Sequence, residues 1–155
     1  MAIEKLKMVK DIMTTAVYTV VPSDTVAQAF RLMTMKNVRH LPVTSTNKGH
    51  VVGVLSDRDI RRILGPSKKG GGVDAGALNE NLNTKKVRNF VDKKVITIEP
   101  DAPVTHAASL MSQFKIGCLP VVEDKRLVGI ITETDILHDY VRLADSLMKL
   151  AGGEY

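Results

Sequence analysis

The chain has 155 residues, of which 44% are hydrophobic, 25% charged and 4% aromatic, with one cysteine and a formal net charge of +5. A chain of this length makes one domain or two small ones. A single cysteine excludes an internal disulfide, no stretch nears the roughly 20 apolar residues that span a membrane, and the first residues lack a signal-peptide core. A cytoplasmic setting is expected, in keeping with the lone Cys118.

In chain order, Ser23-Asp24 precedes a helical pattern in Val26, Ala29, Phe30 and Met33, with Ser23 or Asp24 expected as its N-cap. Short β-branched runs follow, Leu41 to Thr44 and Val51 to Leu55, joined through a polar turn at Thr46-Asn-Lys-Gly49. A second helix is expected from Asp57 to just before Gly65-Pro66. Pro66 to Gly72 is rich in glycine and polar residues and reads as a flexible linker tip. Its Lys68-Lys69-Gly-Gly-Gly lacks the order of a phosphate loop.

The same succession then recurs. Asp101 is expected to cap a helix through Val104, Ala107, Ala108 and Met111, followed by strands Leu119 to Val122 and Leu127 to Thr132 around the turn Glu123 to Arg126. The last helix, from Glu133 to Leu150, keeps an apolar stripe in Ile136, Leu137, Tyr140, Val141, Ala144, Leu147 and Met148. Each unit therefore reads as strand, helix, strand, strand, helix, with domains expected at 9–65 and 87–150 around a linker at 66–86.

The repetition extends to polar residues. Gly53-Val-Leu-Ser56-Asp-Arg-Asp59 returns as Gly129-Ile-Ile-Thr132-Glu-Thr-Asp135, each copy after a Leu-Pro-Val (Leu41-Pro42-Val43, Leu119-Pro120-Val121). Pro100 follows Pro22, and Pro120 follows Pro42, by 78 positions, whereas Asp135 follows Asp59 by 76. A period near 78 is too long for a solenoid and denotes two copies of a small αβ unit. A unit of about 60 residues buries too little surface alone, so a shared core is expected.

One aspartate carboxylate can accept a hydrogen bond from each of two adjacent ribose hydroxyls. Asp59 and Asp135 stand at the start of a helix, where unpaired amides and the dipole favour an anion. Ser56 and Thr132 could donate to phosphate, and Gly53 and Gly129 permit close approach. In a single copy, serine and aspartate before a helix are ordinarily caps and a strand glycine a bulge. Two copies in one chain point to a duplicated site.

The order Thr-Val-x-Pro, a helix ending in Met, Arg-His-Leu-Pro-Val and Gly-x-x-Ser/Thr-x-x-Asp resembles the cystathionine-β-synthase (CBS) domain, and the tandem pair resembles a Bateman module, over about Val9 to Tyr140. Length and arrangement are similar to stand-alone bacterial CBS-pair proteins, including those called acetoin-utilisation proteins. The resemblance implies an α+β fold of two β-α-β-β-α units packed through their sheets about a pseudo-two-fold axis, with clefts that in many members bind AMP, ADP, ATP, NAD-type or S-adenosyl ligands. It also implies roles. Asp59 and Asp135 would hold ribose hydroxyls, and Ser56 and Thr132 would meet phosphate. Val17, Thr19 and Val38, with Val95, Thr97 and Ile116, would hold the base beside Pro42 and Pro120. In related modules a cleft can pair the aspartate of one repeat with the base wall of the other, which here would set Asp135 with Val17 and Val38, and Asp59 with Val95 and Ile116.

Arg39-His40 in the first copy stands where the second has Gly117-Cys118, so phosphate affinity is expected to come mainly from Arg39, helped by His40 and Arg58. As a bland alternative Arg39 is a solvated edge residue and His40 is core. Cys118 before Leu-Pro reads as a small buried apolar residue. His50, His106 and His138 lack metal-ligand spacing, and no nucleophile-base-orienter signature is present. Basic residues are scattered and aromatics few, so nucleotide phosphate is favoured over nucleic acid as the partner.

The expected protein is a non-catalytic regulator that binds an adenine nucleotide, needs no metal, forms a homodimer and acts on an unknown target without nucleic acid or membrane. The alternatives are a partner-binding scaffold without nucleotide, or a module for an NAD-type ligand or S-adenosylmethionine. Enzyme and DNA-binding classes find no support: the Arg58-Arg61-Arg62 face is the only candidate recognition surface.

Overall fold

The computed structural model describes residues 7–45, 49–64, 82–91 and 94–152. The expected turn at 46–48 and the expected linker tip lie outside the described residues. The elements, in order, are α1 (Val9–Ile12), α2 (Val26–Lys36), β1 (His40–Thr44), β2 (Val51–Ser56), α3 (Asp57–Leu64), a 3-10 turn (Val87–Asn89), α4 (Val104–Phe114), β3 (Cys118–Glu123), β4 (Arg126–Thr132) and α5 (Glu133–Leu150). They form an α+β fold with two antiparallel sheets, β1-β2 and β3-β4.

The first strand of each repeat is reduced to one parallel bridge, Val20 to Val43 and Ile98 to Val121. Val20 N–H donates to the Pro42 carbonyl at 3.2 Å and Ile98 N–H to that of Pro120 at 3.0 Å. Proline has no N–H for a ladder, so it sits where its carbonyl alone is used.

The helix caps differ from those expected. Thr25 caps α2 in a reciprocal box with Gln28, while the Asp24 carboxylate accepts the Val21 N–H at 2.9 Å and holds the preceding turn. Pro103 precedes α4 without a side-chain cap, and Asp101 pairs with Lys10. Threonine wins at 25 because Gln28 lies three residues on, the spacing at which both side chains reach the other's backbone. At their far ends α2 and α4 stop on left-handed residues, Asn37 (φ 51°) and Lys115 (φ 54°). The next amides, Val38 and Ile116, return to the Met33 and Met111 carbonyls at 3.0 and 3.1 Å.

Two compact units emerge, and each takes its leader from the other repeat. Among the described residues, one holds those up to Ala16 with Ile96–Glu123 and those from Val128; the other holds those within Val17–Val95 with Asp124–Leu127. In the first unit Val9 N–H donates to the Ala102 carbonyl at 2.8 Å and Lys10 N–H to Pro100 at 2.9 Å. In the second, Val87 N–H donates to Asp24 at 2.9 Å and Arg88 N–H to Pro22 at 3.1 Å. Every residue of the second set lies 78 positions from its counterpart: Val87 from Val9, Arg88 from Lys10, Ala102 from Asp24, Pro100 from Pro22.

The leaders enter the cores. Val9 is wholly buried with Ile98, Ala107, Met111, Leu119, Val121 and Ile131. Val87 is wholly buried with Val20, Val26, Met33, Leu41, Val43, Leu55 and Ile60. Burying one valine side chain contributes about 1.5–3 kcal/mol, so neither unit forms its full core from one contiguous segment.

Candidate functional site

In the first repeat β1 and β2 are paired so that His40 faces Ser56 and Leu41 faces Leu55. This places the entry to β1 beside the strand-to-helix junction, and Asp57 N–H donates to the Arg39 carbonyl at 2.9 Å. Val38, Arg39 and His40 are thereby gathered around Ser56, Arg58 and Asp59. The second repeat repeats the joint: Glu133 N–H donates to the Gly117 carbonyl at 3.0 Å, gathering Ile116 and Gly117 around Thr132 and Asp135.

The aspartates close on their own motif. Asp59 Oδ2 accepts the Ser56 N–H at 2.9 Å and the Ser56 hydroxyl at 2.6 Å, while Ser56 Oγ accepts the Asp59 N–H at 3.1 Å. Asp135 Oδ2 accepts the Thr132 N–H and hydroxyl, both at 2.8 Å, and Thr132 Oγ1 accepts the Asp135 N–H at 3.3 Å. These are capping boxes with an aspartate at the third helical position. The geometry accounts for the hydroxyl residue and the aspartate at once, without a ligand.

A carboxylate nonetheless has about four acceptor positions, and these bonds engage only Oδ2. Asp59 Oδ1 has Arg62 at 3.7 Å, with the Asp59 side chain 32% exposed. Asp135 is likewise half-buried, and its capping bonds likewise fall on Oδ2. The Ser56 and Thr132 hydroxyl hydrogens are directed at the carboxylates, so donation to a phosphate requires that they rotate away.

The other expected residues divide by position. Pro42 and Pro120 are buried, their carbonyls already accepting Val20 and Ile98. Val17, Val38, Val95, Thr97 and Ile116 are half-buried, while Thr19, Arg39 and Arg58 are exposed. Val17, Thr19 and Val95 fall in the unit with Asp59, and Thr97 in the unit with Asp135. His40 is half-buried with interactions of its own. Among the described residues no three His, Cys, Asp or Glu side chains are grouped to hold a metal ion, and no helix is long and apolar enough to cross a membrane.

The motif glycines serve packing. A Cβ on Gly53 would lie 2.8 Å from Val91 Cβ, and one on Gly129 would lie 2.6 Å from Met13 Sδ and 3.1 Å from the Thr14 carbonyl. Met13 and Val91 are 78 apart, so each leader crosses its unit at the motif glycine. Sequence reasoning did not assign these leader residues; their 78-residue spacing is the signal that would have found them.

Cys118 is buried, and burial, with a smaller push from the Glu133 carboxylate, raises its thiol from 9.0 to about 12. The native thiol is expected to resist a disulfide reagent at pH 8 and to react at once on unfolding, which a timed colorimetric titration with and without denaturant measures. In the unfolded chain the thiol ionises near the ordinary value, so above about pH 9 that state binds fewer protons than the native one. Stability attributable to this group therefore falls by about 1.4 kcal/mol per pH unit until about pH 12.

A model of the CBS domain matches residues 9–66 and 87–142. A CBS domain-containing protein of Dictyostelium discoideum is 30% identical over 89% of this chain and 94% of its own length. The L-aspartate semialdehyde sulfurtransferase of Methanocaldococcus jannaschii is 30% identical over 84% of this chain, which spans only 23% of that enzyme. The CBS domain pair of protein MJ0100, solved with 5′-methylthioadenosine and S-adenosyl-L-methionine, is 31% identical, covers 88% of this chain and 97% of its own, and superposes with a TM-score of 0.70. An acetoin utilization protein (AcuB) from Vibrio cholerae is 27% identical at TM-score 0.71, covering 97% of this chain and 100% of its own. CBSX2, solved in complex with AMP, is 27% identical at TM-score 0.71, covering 88% of this chain and 98% of its own.

Proposed function

The chain belongs to the CBS domain family, as a tandem pair, and from that premise we propose that it is a non-catalytic regulatory module for an adenosine-containing ligand, an adenine nucleotide in the first instance. Asp59 and Asp135 take the ribose hydroxyls on the oxygen their capping boxes leave open. Arg39 and Arg58, exposed at the same joint, meet phosphate. Val38 and Ile116, held by the left-handed ends of α2 and α4, offer apolar contact to a base. The carrying observation is the aspartate held through Oδ2 at both strand-to-helix joints, with Oδ1 outside the capping box. Solved relatives holding AMP or S-adenosyl-L-methionine and 5′-methylthioadenosine support an adenosine ligand.

Calorimetric titration with AMP, ADP, ATP, NAD and S-adenosylmethionine tests this, and saturable binding of at least one is expected. Because the capping boxes explain the motif structurally, a chain that binds none of these would be a partner-binding module instead.

Signal output follows by differential affinity: a ligand shifts a conformational balance only as far as it prefers one state. The partner state is a homodimer formed through α5, in a cytoplasmic protein. Among the described residues of α5 none is buried, and Leu137, Tyr140, Val141 and Leu147 are 55–67% exposed. Leu137, Val141, Ala144, Met148 and Ala151 follow the alternating four-three spacing of a two-helix seam. Around small Ala144 apolar residues stand at equal distances on either side, Val141 and Leu147 at three residues, Tyr140 and Met148 at four, Leu137 and Ala151 at seven, which makes the face self-complementary to an antiparallel copy. A dimer by light scattering at micromolar concentration is expected, and Leu137→Asp/Val141→Asp is expected to be monomeric with unchanged unfolding behaviour. A monomeric wild type removes the dimer.

A further inference from the structure

We infer that the two repeats sort adenosine ligands by charge, the first taking a phosphorylated ligand and the second an unphosphorylated one that is neutral or cationic near its 5′ end. This rests on the ribose-aspartate function proposed above.

The backbone frames agree closely. The same N–H to carbonyl bond closes each joint, Asp57 to Arg39 at 2.9 Å and Glu133 to Gly117 at 3.0 Å. The same capping box holds each aspartate. The side chains on those frames carry opposite charge. In the first repeat, residues 39–40 and 56–62 contain Arg39, Arg58, Arg61 and Arg62 against Asp57 and Asp59, a formal +2 with His40 neutral. In the second, residues 117–118 and 132–138 contain Glu133 and Asp135 and neither lysine nor arginine, a formal −2 with His138 neutral. Extending each frame three residues towards its helix adds one lysine to both, Lys36 and Lys115, and leaves the difference of four charges intact.

The cations differ in availability. Arg61 and Arg62 lie 3.7 Å from Asp57 and Asp59, along α3 itself. Arg39 and Arg58 are exposed, and the Asp57 N–H to Arg39 carbonyl bond joins their backbone segments. A phosphate carries close to two negative charges and pairs well with two guanidinium groups. On the second frame the same phosphate would meet Glu133 beside Asp135, with Lys115 to match Lys36 but no counterpart of Arg39 or Arg58 to offset them. Like charges within a few ångström repel by about 1–4 kcal/mol in solvated surroundings. A sulfonium or an uncharged 5′ thioether meets no such penalty there.

Titration of AMP and of 5′-methylthioadenosine into wild type, Asp59→Asn, Asp135→Asn and Arg39→Ser/Arg58→Ser tests the sorting. AMP affinity is expected to fall at least tenfold in Asp59→Asn and in the double arginine variant, and to weaken with salt. Affinity for 5′-methylthioadenosine is expected to fall at least tenfold in Asp135→Asn alone and to ignore salt. Loss of both ligands through the same aspartate, binding of AMP alone, or undiminished AMP affinity in the arginine variant overturns the sorting while leaving the ribose site standing. Failure of wild type to bind either ligand overturns the sorting, and the five-ligand titration above then decides the ribose site separately.

Discussion

Asp59→Ala/Asp135→Ala is expected to lose adenosine-ligand affinity by about 100-fold or more and, without ligand, to be less stable by about 2–4 kcal/mol. Both effects come from one carboxylate in each motif. Alanine removes the acceptor of the Ser56 N–H and hydroxyl, and of the Thr132 pair. Two half-buried donors are then stranded at each joint, and loss of an N-terminal helix cap costs about 1–2 kcal/mol. The ribose loses an ionised acceptor for two hydroxyls, at about 1.5–3 kcal/mol for each charged hydrogen bond.

Asparagine separates the two roles. Its carbonyl can replace Oδ2 in the capping box, as the amide oxygen of Gln28 serves in the box of α2, but its amide cannot accept from the ribose. Asp59→Asn/Asp135→Asn should therefore unfold within about 1 kcal/mol of wild type, as read by urea denaturation, and still lose most ligand affinity. Retained affinity in the asparagine variant would assign the aspartates to capping alone.

The second large effect lies at Gly53, where an added Cβ would stand 2.8 Å from Val91 Cβ. Val91 is β-branched and its Cβ is fixed to the backbone, so neither side can yield without moving the leader. Gly53→Ala is expected to cost about 3 kcal/mol, the upper range for an overpacked core. The comparison is Gly49, at φ +63° with nothing within 4 Å of a built Cβ, where alanine costs about 1–2 kcal/mol from backbone strain alone. Adding Val91→Gly should recover part of the Gly53→Ala loss, giving a coupling of about 1 kcal/mol or more in a double-mutant cycle. Strict additivity would mean that the leader does not rest on the motif glycine in solution.

Much of this was legible in the sequence because each repeat states its core twice. The spacing of Val26, Ala29 and Met33 against Val104, Ala107 and Met111 revealed α2 and α4, and the runs around Pro42 and Pro120 revealed both strand pairs. The polar duplication ending at Asp59 and Asp135 marked the strand-to-helix joints, where the boxes lie.

What escaped was of a different kind. Thr25 rather than Ser23 or Asp24 caps α2, because several capping residues in a row compete and Gln28 decides among them. The full first strand shrank to single bridges at Val20 and Ile98, since a β-branched run signals extension but not how many partners it finds. The exchange of leaders escaped for a topological reason. Val9 and Val87 read alike, and apolar periodicity says that each is buried without saying in which repeat's core. Nor could spacing tell a capping aspartate from a ribose acceptor, because both roles call for a carboxylate at the same helix-start position.

The first measurement is a crystal structure of the protein grown with saturating AMP. The ribose hydroxyls are expected within about 2.5–3.0 Å of Asp59, with phosphate against Arg39 or Arg58. AMP bound with its ribose away from both Asp59 and Asp135 would contradict the ribose-aspartate function.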